Sequence, residues 1–258
     1  MPQIASPLAL AALVLAACAP PAQEAARVAE RQAGGYLPAP SVQRVTLADT
    51  GLRLSGAAPA GAEVRAQEPG GAAITGIADE KGAWSLTAPA AGGVRLLGLS
   101  ARLGERRVQS QGYLLIAPNG VAALLRAGGG AHRLEPRSAP SLSAFDFDGE
   151  GGAILSGLAA PGTALSLRVD GRQSADATAD AQGRFSIVLP RPIAPGTHRL
   201  GVVADAFQLT APVQVSRPVA PEGQALRTEA VPGALRADWR TPGGGIQATL
   251  LFLEGAAP

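Results

Sequence analysis

Few side chains in this 258-residue sequence could do chemistry. It has one cysteine, Cys18, and two histidines, His132 and His198. The chain contains no His-x-x-x-His, Gly-x-Ser-x-Gly or phosphate-binding loop pattern, which are the spacings that mark common metal, nucleophile and nucleotide sites. A Ser/His/Asp triad can also assemble from distant residues. On this inventory we expect surface histidines, no cofactor and no catalytic site.

One acidic stretch has the ligand spacing of a calcium-binding loop. Asp146, Asp148 and Glu150 would supply oxygens at loop positions 1, 3 and 5, and Gly151 stands at position 6. The twelfth position, which needs a bidentate glutamate, is Gly157. Two interpretations therefore stay open. One is a calcium site, and the favoured one is an acidic strand and turn that leads into a folded domain.

Cys18 follows a run of ten Leu, Val and Ala residues, from Leu8 to Ala17. The run is too short to cross a bilayer, which needs about 20 apolar residues, and it fits the apolar part of a secretory signal. The stretch Leu15-Ala16-Ala17-Cys18 resembles the lipobox of bacterial lipoproteins. The resemblance implies a signal peptide over residues 1–17 and acylation of Cys18. Ala19 in the next position implies sorting to the outer membrane, facing the periplasm.

The N-terminus departs from the lipoprotein pattern in one respect, because residues 1–7 contain no Lys or Arg. A buried structural cysteine, an ordinary signal peptide and a reactive thiol are the alternatives for Cys18. A reactive thiol needs a base or another cationic neighbour, and Arg27 is the one basic residue within ten positions. Lipid attachment is therefore the favoured interpretation.

Residues 18–40 are predicted to form a tether between the anchor and the folded part. Residues 23–33 are rich in helix formers without an apolar stripe, so we expect a short solvated helix that ends at Gly34-Gly35. The whole sequence is 47% hydrophobic, which supports a packed core. Its net charge is +2 and its arginines are spread along the chain, which argues against a nucleic-acid partner.

An internal duplication is the strongest feature of the sequence. Leu54-Ser55-Gly56 recurs 101 positions later as Leu155-Ser156-Gly157, and the aromatic Trp84 recurs as Phe185. Short β-type runs alternate with Gly, Pro and Asp turns throughout both copies. A unit of this size and pattern is typical of an immunoglobulin-like sandwich. We therefore expect Trp84 and Phe185 to lie in two separate cores.

The repeated motifs resemble the bacterial Ig-like repeats of secreted and envelope proteins. The relevant stretches are Ser55-Gly56 to Val64 with Ala78-Asp79 to Ser85, and Ser156-Gly157 to Leu165 with Ala179-Asp180 to Ser186. The resemblance implies an all-β fold with two tandem Ig-like β-sandwich domains, residues 41–138 and 139–258. The motif residues are predicted to form turns and cores, not a site.

The C-terminus is predicted to be a β-hairpin that closes the second domain, with residues 235–240 and 246–253 as its strands. Its nearest analogue in the first copy is the hairpin over residues 113–126, around Pro118-Asn119-Gly120. Residues 235, 237 and 239 are expected to pack into the second domain. Residues 250–253 are apolar on both faces, so the first domain or a partner should cover them. The candidates for partner docking are Trp239, Leu251 and Leu253.

The leading hypothesis is a non-catalytic, lipid-anchored envelope protein that acts as a structural or protein-interaction module. It would contact the membrane through its N-terminal lipid and have an envelope protein as partner. A carbohydrate- or peptidoglycan-binding module is one alternative, although aromatic residues are only 3% of the chain and glycan binding is unproven. A hydrolase with a site between the two domains is the other alternative.

Overall fold

The computed structural model describes residues 36–48, 51–89 and 92–253, so Cys18 and most of the tether lie outside the described residues. Within these ranges the secondary structure consists of nineteen β-strands and contains no helix. This part of the chain accordingly has no apolar helix of membrane-spanning length. The predicted all-β, β-sandwich fold is confirmed.

The first copy forms two antiparallel sheets. Sheet 1 has the strand order β1-β2-β5, and sheet 2 has the order β4-β3-β6-β7-β8-β9. Their strands are β1 (Ser41–Ala48), β2 (Gly51–Ala57), β3 (Glu63–Gln67), β4 (Ala73–Ile77), β5 (Ala83–Ala88), β6 (Arg95–Leu103), β7 (Arg106–Ile116), β8 (Ala122–Leu125) and β9 (His132–Arg133).

The second copy repeats this arrangement with a larger first sheet. Sheet 3 has the order β14-β11-β10-β19-β18-β17, and sheet 4 has the order β13-β12-β15-β16. Their strands are β10 (Ser141–Asp148), β11 (Ala153–Leu158), β12 (Ala164–Val169), β13 (Arg172–Thr178), β14 (Arg184–Val188), β15 (Gly196–Ala204), β16 (Phe207–Val215), β17 (Leu226–Val231), β18 (Ala234–Arg240) and β19 (Ile246–Phe252).

The glycine of each Leu-Ser-Gly motif permits a close approach that any side chain would block. A Cβ atom on Gly56 would lie 1.9 Å from the carbonyl oxygen of Ser41. A Cβ atom on Gly157 would lie 2.4 Å from the carbonyl oxygen of Ser141 and 2.3 Å from Cζ of Phe185. The duplicated glycine is therefore required by packing, because the first strand and the core aromatic both lie against it.

The aspartate of each Ala-Asp motif holds a tight turn. One carboxylate oxygen of Asp79 accepts hydrogen bonds from the backbone N–H groups of Lys81 and Ala83, at 2.8 and 2.9 Å. Asp180 holds the N–H groups of Gln182 and Arg184 in the same way. Each turn delivers the following aromatic to its own core, where Trp84 and Phe185 are both buried.

Among the described residues, three hydrophobic cores lie between the sheets. One lies between sheets 1 and 2, another between sheets 3 and 4, and a third between sheets 2 and 3. The chain from Pro38 onward accordingly forms one compact unit. The two copies extend different sheets, since β8 and β9 extend sheet 2 from β7 whereas β19, β18 and β17 extend sheet 3 from β10. The predicted equivalence of the C-terminal hairpin with the 113–126 hairpin is therefore wrong.

Candidate functional site at the junction of the two sandwiches

The third core joins the two sandwiches and contains Trp239, the largest fully buried side chain described. Its ring meets that of Tyr113 edge to face, with 5.9 Å between the ring centroids. Leu251 is fully buried beside it and Leu253 is partly buried. The remaining members come mostly from the first sandwich. They are Leu96, Leu115, Ala117, Val121, Ala123, Leu125 and Ala131, with Ala144 and Ala237 from the second.

The alternation of side chains along β18 explains why Trp239 faces the first sandwich. The hairpin β18–β19 joins the edge of β10, with Phe145 paired to Leu250 and Leu235 paired to Leu251. Residues 235, 237 and 239 share the face that contacts the third core, whereas Ala234 contacts the core of the second sandwich. The prediction that residues 235, 237 and 239 pack into the second domain is therefore wrong. The first sandwich covers Trp239 and Leu251, which leaves neither side chain open to a partner.

Asp146 lies at the polar centre of this junction and is 2% exposed. One of its carboxylate oxygens accepts the backbone N–H of Ala131, a residue of the first sandwich, at 2.7 Å. The other accepts hydrogen bonds from the Gln247 amide at 3.0 Å and the Thr249 hydroxyl at 2.5 Å. The indole N–H of Trp239 in turn donates to the Thr249 hydroxyl at 3.1 Å. Asp146 therefore links both sandwiches through one hydrogen-bond network.

Burial raises the pKa of Asp146 to about 6, against the opposing effect of its three hydrogen bonds and of the nearby Arg126. The guanidinium of Arg126 is engaged by backbone carbonyl oxygens, donating to Gly130 at 3.0 Å and to Gly129 at 2.5 Å. A side chain at Gly130 would be strained and crowded, because its φ is +75° and a Cβ would lie 2.5 Å from the Ser156 hydroxyl oxygen. The loop that carries Arg126 thus lies directly on the outer face of sheet 3.

The calcium hypothesis for Asp146, Asp148 and Glu150 gains no geometric support. The Asp146 oxygens are engaged by N–H and O–H donors, as described above. One carboxylate oxygen of Asp148 accepts the backbone N–H groups of Glu150 and Gly152, at 3.0 and 2.8 Å, and Glu150 itself is exposed. In the described part of the chain no three His, Cys, Asp or Glu side chains lie close enough together to hold a metal ion. The stretch is arranged as a strand and turn.

The two histidines have different surroundings. His198 donates from Nδ1 to the Asp170 carboxylate, at 2.7 Å, and from Nε2 to the Ala194 carbonyl oxygen, at 2.9 Å. The bond to Asp170 raises the pKa of His198, and both ring nitrogens face oxygen acceptors. Both histidines are partly buried, where the sequence predicted surface positions for the two. Burial first, and then the charges of Arg126 and Arg184, lower the pKa of His132 to about 4.

A buried ion pair on the opposite face of sheet 3 was missed by the sequence reasoning. Asp238 is fully buried and accepts hydrogen bonds from Arg236 at 3.0 Å and from Arg227 at 3.3 Å. The Arg236 guanidinium also lies over the Phe147 ring, 5.6 Å from its centroid, and donates to the Ser216 hydroxyl. Charged residues at alternate positions of a strand usually indicate a solvent-exposed face, so the sequence carried no signal for this burial.

Two clefts flank the edge strand β17. A cleft of about 1070 Å³ lies between β17 and the first sandwich, where Leu226 and Thr228 line it together with Val94 and Leu96. A second cleft of about 430 Å³ lies on the other face of the strand, towards β16, and is lined in part by Glu229. The side chains on both faces of β17 therefore border open space.

Comparison with known proteins identifies no family for this chain. No family model matches it and no curated protein matches it. Among solved structures it is similar to a domain of a biofilm-associated protein, at 15% identity, with a TM-score of 0.26 over 70% of this chain and 30% of that one. It therefore spans less than a third of that protein's chain.

Two further solved structures are similar at the same low level. The central fibronectin-III array of RIM-binding protein is 14% identical, with a TM-score of 0.28 over 81% of this chain and 74% of that one. A Ca²⁺-stabilised adhesin with which an Antarctic bacterium binds ice is 14% identical, with a TM-score of 0.23 over 83% of this chain and 66% of that one. The β-sandwich assignment rests on the sheets and cores of this chain itself.

Proposed function

We propose that this protein is a non-catalytic, lipid-anchored envelope module that presents two sandwiches as one rigid block to a protein partner. The observation that carries the proposal is the third core, centred on Trp239. Domains joined by a large apolar interface do not move independently, whereas those with small polar interfaces do. A fixed arrangement of the two copies has a clear use in a structural or interaction protein, because it holds distant surface residues at constant separation.

The hydrogen bonds of two titratable groups, Asp146 at the junction and His198 on β15 of the second sandwich, support a structural role. Asp146 holds Ala131, Gln247 and Thr249 together, and the ring of His198 is engaged at both nitrogens. A general base needs a lone pair within reach of a substrate proton, and these groups already have protein partners. Their hydrogen bonds therefore stabilise the fold.

Attachment through Cys18 to the outer membrane, facing the periplasm, is the second part of the proposal. It is supported by the apolar run that ends at the lipobox-like stretch and by Ala19 in the next position. Several acyl chains would hold the protein firmly, since each buried CH₂ contributes about 0.8 kcal/mol. The tether of residues 18–40 would then separate the sandwiches from the bilayer surface.

Detergent phase partition, with mass spectrometry of the N-terminal peptide, tests the anchor. The wild type should enter the detergent phase with added acyl mass on Cys18, and Cys18→Ala should lose that mass. Wild-type protein in the aqueous phase without the modification would contradict the anchor. Co-sedimentation with purified cell wall, or turnover in an ester and glycoside screen that is lost on unfolding, would contradict the interaction module and favour the glycan-binding or hydrolase alternative.

A further inference from the structure

Strand β17 (Leu226–Val231) ends sheet 3, and no described strand pairs with its outer edge. The backbone N–H of Arg240 donates to the carbonyl oxygen of Ala225, which lies opposite it. This bond shows which residues of β17 are hydrogen-bonded to β18. Because antiparallel bonding alternates along a strand, residues 227, 229 and 231 bond to β18. The N–H and C=O groups of Leu226, Thr228 and Ala230 therefore point away from the sheet. An exposed row of this kind is a template for another strand.

The edge of β17 is complementary to itself when it is turned about a two-fold axis through Thr228. In that antiparallel register Thr228 lies opposite the Thr228 of the second copy, and Leu226 lies opposite Ala230. These are the residues with outward backbone groups, so every pair can exchange both of its hydrogen bonds. Arg227 then lies opposite Glu229 in the intervening pairs. Both of these side chains are about half exposed, and opposite charges at facing positions stabilise a strand pair.

We propose that a second copy of this chain pairs with the β17 edge and joins the two copies of sheet 3 into one continuous sheet. The clefts on both faces of β17 leave room for the side chains of the incoming strand. A two-fold contact of this kind is isologous, so it closes at a dimer and does not grow into a fibre. The proposal goes beyond the function proposed above and does not depend on the lipid anchor.

Sedimentation equilibrium of the full chain tests the dimer, in detergent and with Cys18→Ala to prevent acylation. The chain should have twice the monomer mass at micromolar concentration. Thr228→Pro should weaken dimerisation at least a hundredfold, because it removes an outward N–H and leaves the bonds to β18 intact. The matched control, Thr228→Ala, keeps that N–H and should remain a dimer. Glu229→Lys should weaken the dimer about tenfold, because it places Lys opposite Arg227.

A cross-link tests the register and does not depend on how well the proline variant folds. Facing residues of a bonded pair have their Cα atoms about 5.5 Å apart, within the range of a disulfide. Thr228→Cys in the Cys18→Ala chain should therefore form a disulfide-linked dimer on mild oxidation. Ala230→Cys is the matched control and should not, because Leu226 lies opposite it. A monomer at all concentrations, a dimer unaffected by Thr228→Pro, or equal cross-linking at both positions would overturn the proposal.

Discussion

Replacing Asp146 with Asn should change how the free energy of unfolding depends on pH. Burial raises the pKa of this carboxyl from 3.8 to about 6 in the folded state, so the folded chain binds a proton between these values that the unfolded chain does not. The contribution of Asp146 to the free energy of unfolding is therefore fully present below pH 3.8 and is lost as the pH rises through about 6. About two pKa units at about 1.4 kcal/mol each amount to about 3 kcal/mol.

His132 would hide this effect in the wild-type curve alone. Its pKa is lowered to about 4, so its contribution has the opposite sign and is lost as the pH falls from about 6.5 towards 4. Both variants keep His132, and subtracting their curves removes its contribution. The measurement is urea unfolding followed by tryptophan fluorescence between about pH 7.5 and about pH 3.5. The stability of the wild type minus that of Asp146→Asn should rise by about 3 kcal/mol as the pH falls.

A matched control separates this effect from a general loss of charge. Asp205 lies at an exposed turn position, so Asp205→Asn removes the same charge without replacing a buried carboxyl group. A constant difference between wild type and Asp146→Asn would show that burial does not raise the pKa of Asp146. A difference that falls as the pH falls would show that the three hydrogen bonds dominate, and would refute the reasoning.

Three further predictions concern packing and ligands. Gly157→Ala should destabilise the protein by about 1–3 kcal/mol in chemical denaturation, because the new Cβ meets the Phe185 ring. The control Gly201→Ala should not, because its Cβ would lie 3.6 Å from the nearest atom, the Leu209 carbonyl oxygen. Millimolar calcium should leave the melting temperature unchanged, and a rise that Asp146→Ala abolishes would reverse that expectation. Truncation after Pro221 should give an insoluble or protease-sensitive second sandwich, because it removes part of two cores; a soluble product as stable as the full chain would contradict this.

The sequence was sufficient to predict the local features of the fold. The Pro118-Asn119-Gly120 turn joins β7 to β8 through a hydrogen bond from the Gly120 N–H to the Ala117 carbonyl oxygen, as expected for a tight hairpin. The duplicated turns and core aromatics also lie where the repeat predicts them. Each depends on a few neighbouring residues, whose conformational preferences determine the turn wherever it occurs.

The junction could not be predicted, because its partners are far apart in the sequence. Ala131 and Thr249 both bond to Asp146, yet 118 positions separate them. An apolar run such as residues 250–253 predicts that both faces of a strand are covered, but not which surface covers each of them. Which side chains of β18 face the first sandwich, Trp239 among them, depends on the register in which the hairpin pairs with β10. Tertiary packing determines that register.

Scanning calorimetry of the full chain tests most directly whether the third core makes one block of the two sandwiches. The wild type should unfold in a single transition whose calorimetric and van't Hoff enthalpies agree. Trp84→Ala and Phe185→Ala, in different sandwiches, should each lower the midpoint temperature of that one transition. Trp239→Ala should reduce the free energy of unfolding by about 3–5 kcal/mol and split the transition into two. Two transitions in the wild type, one lowered only by Trp84→Ala and the other only by Phe185→Ala, would show that the sandwiches are independent and contradict the account.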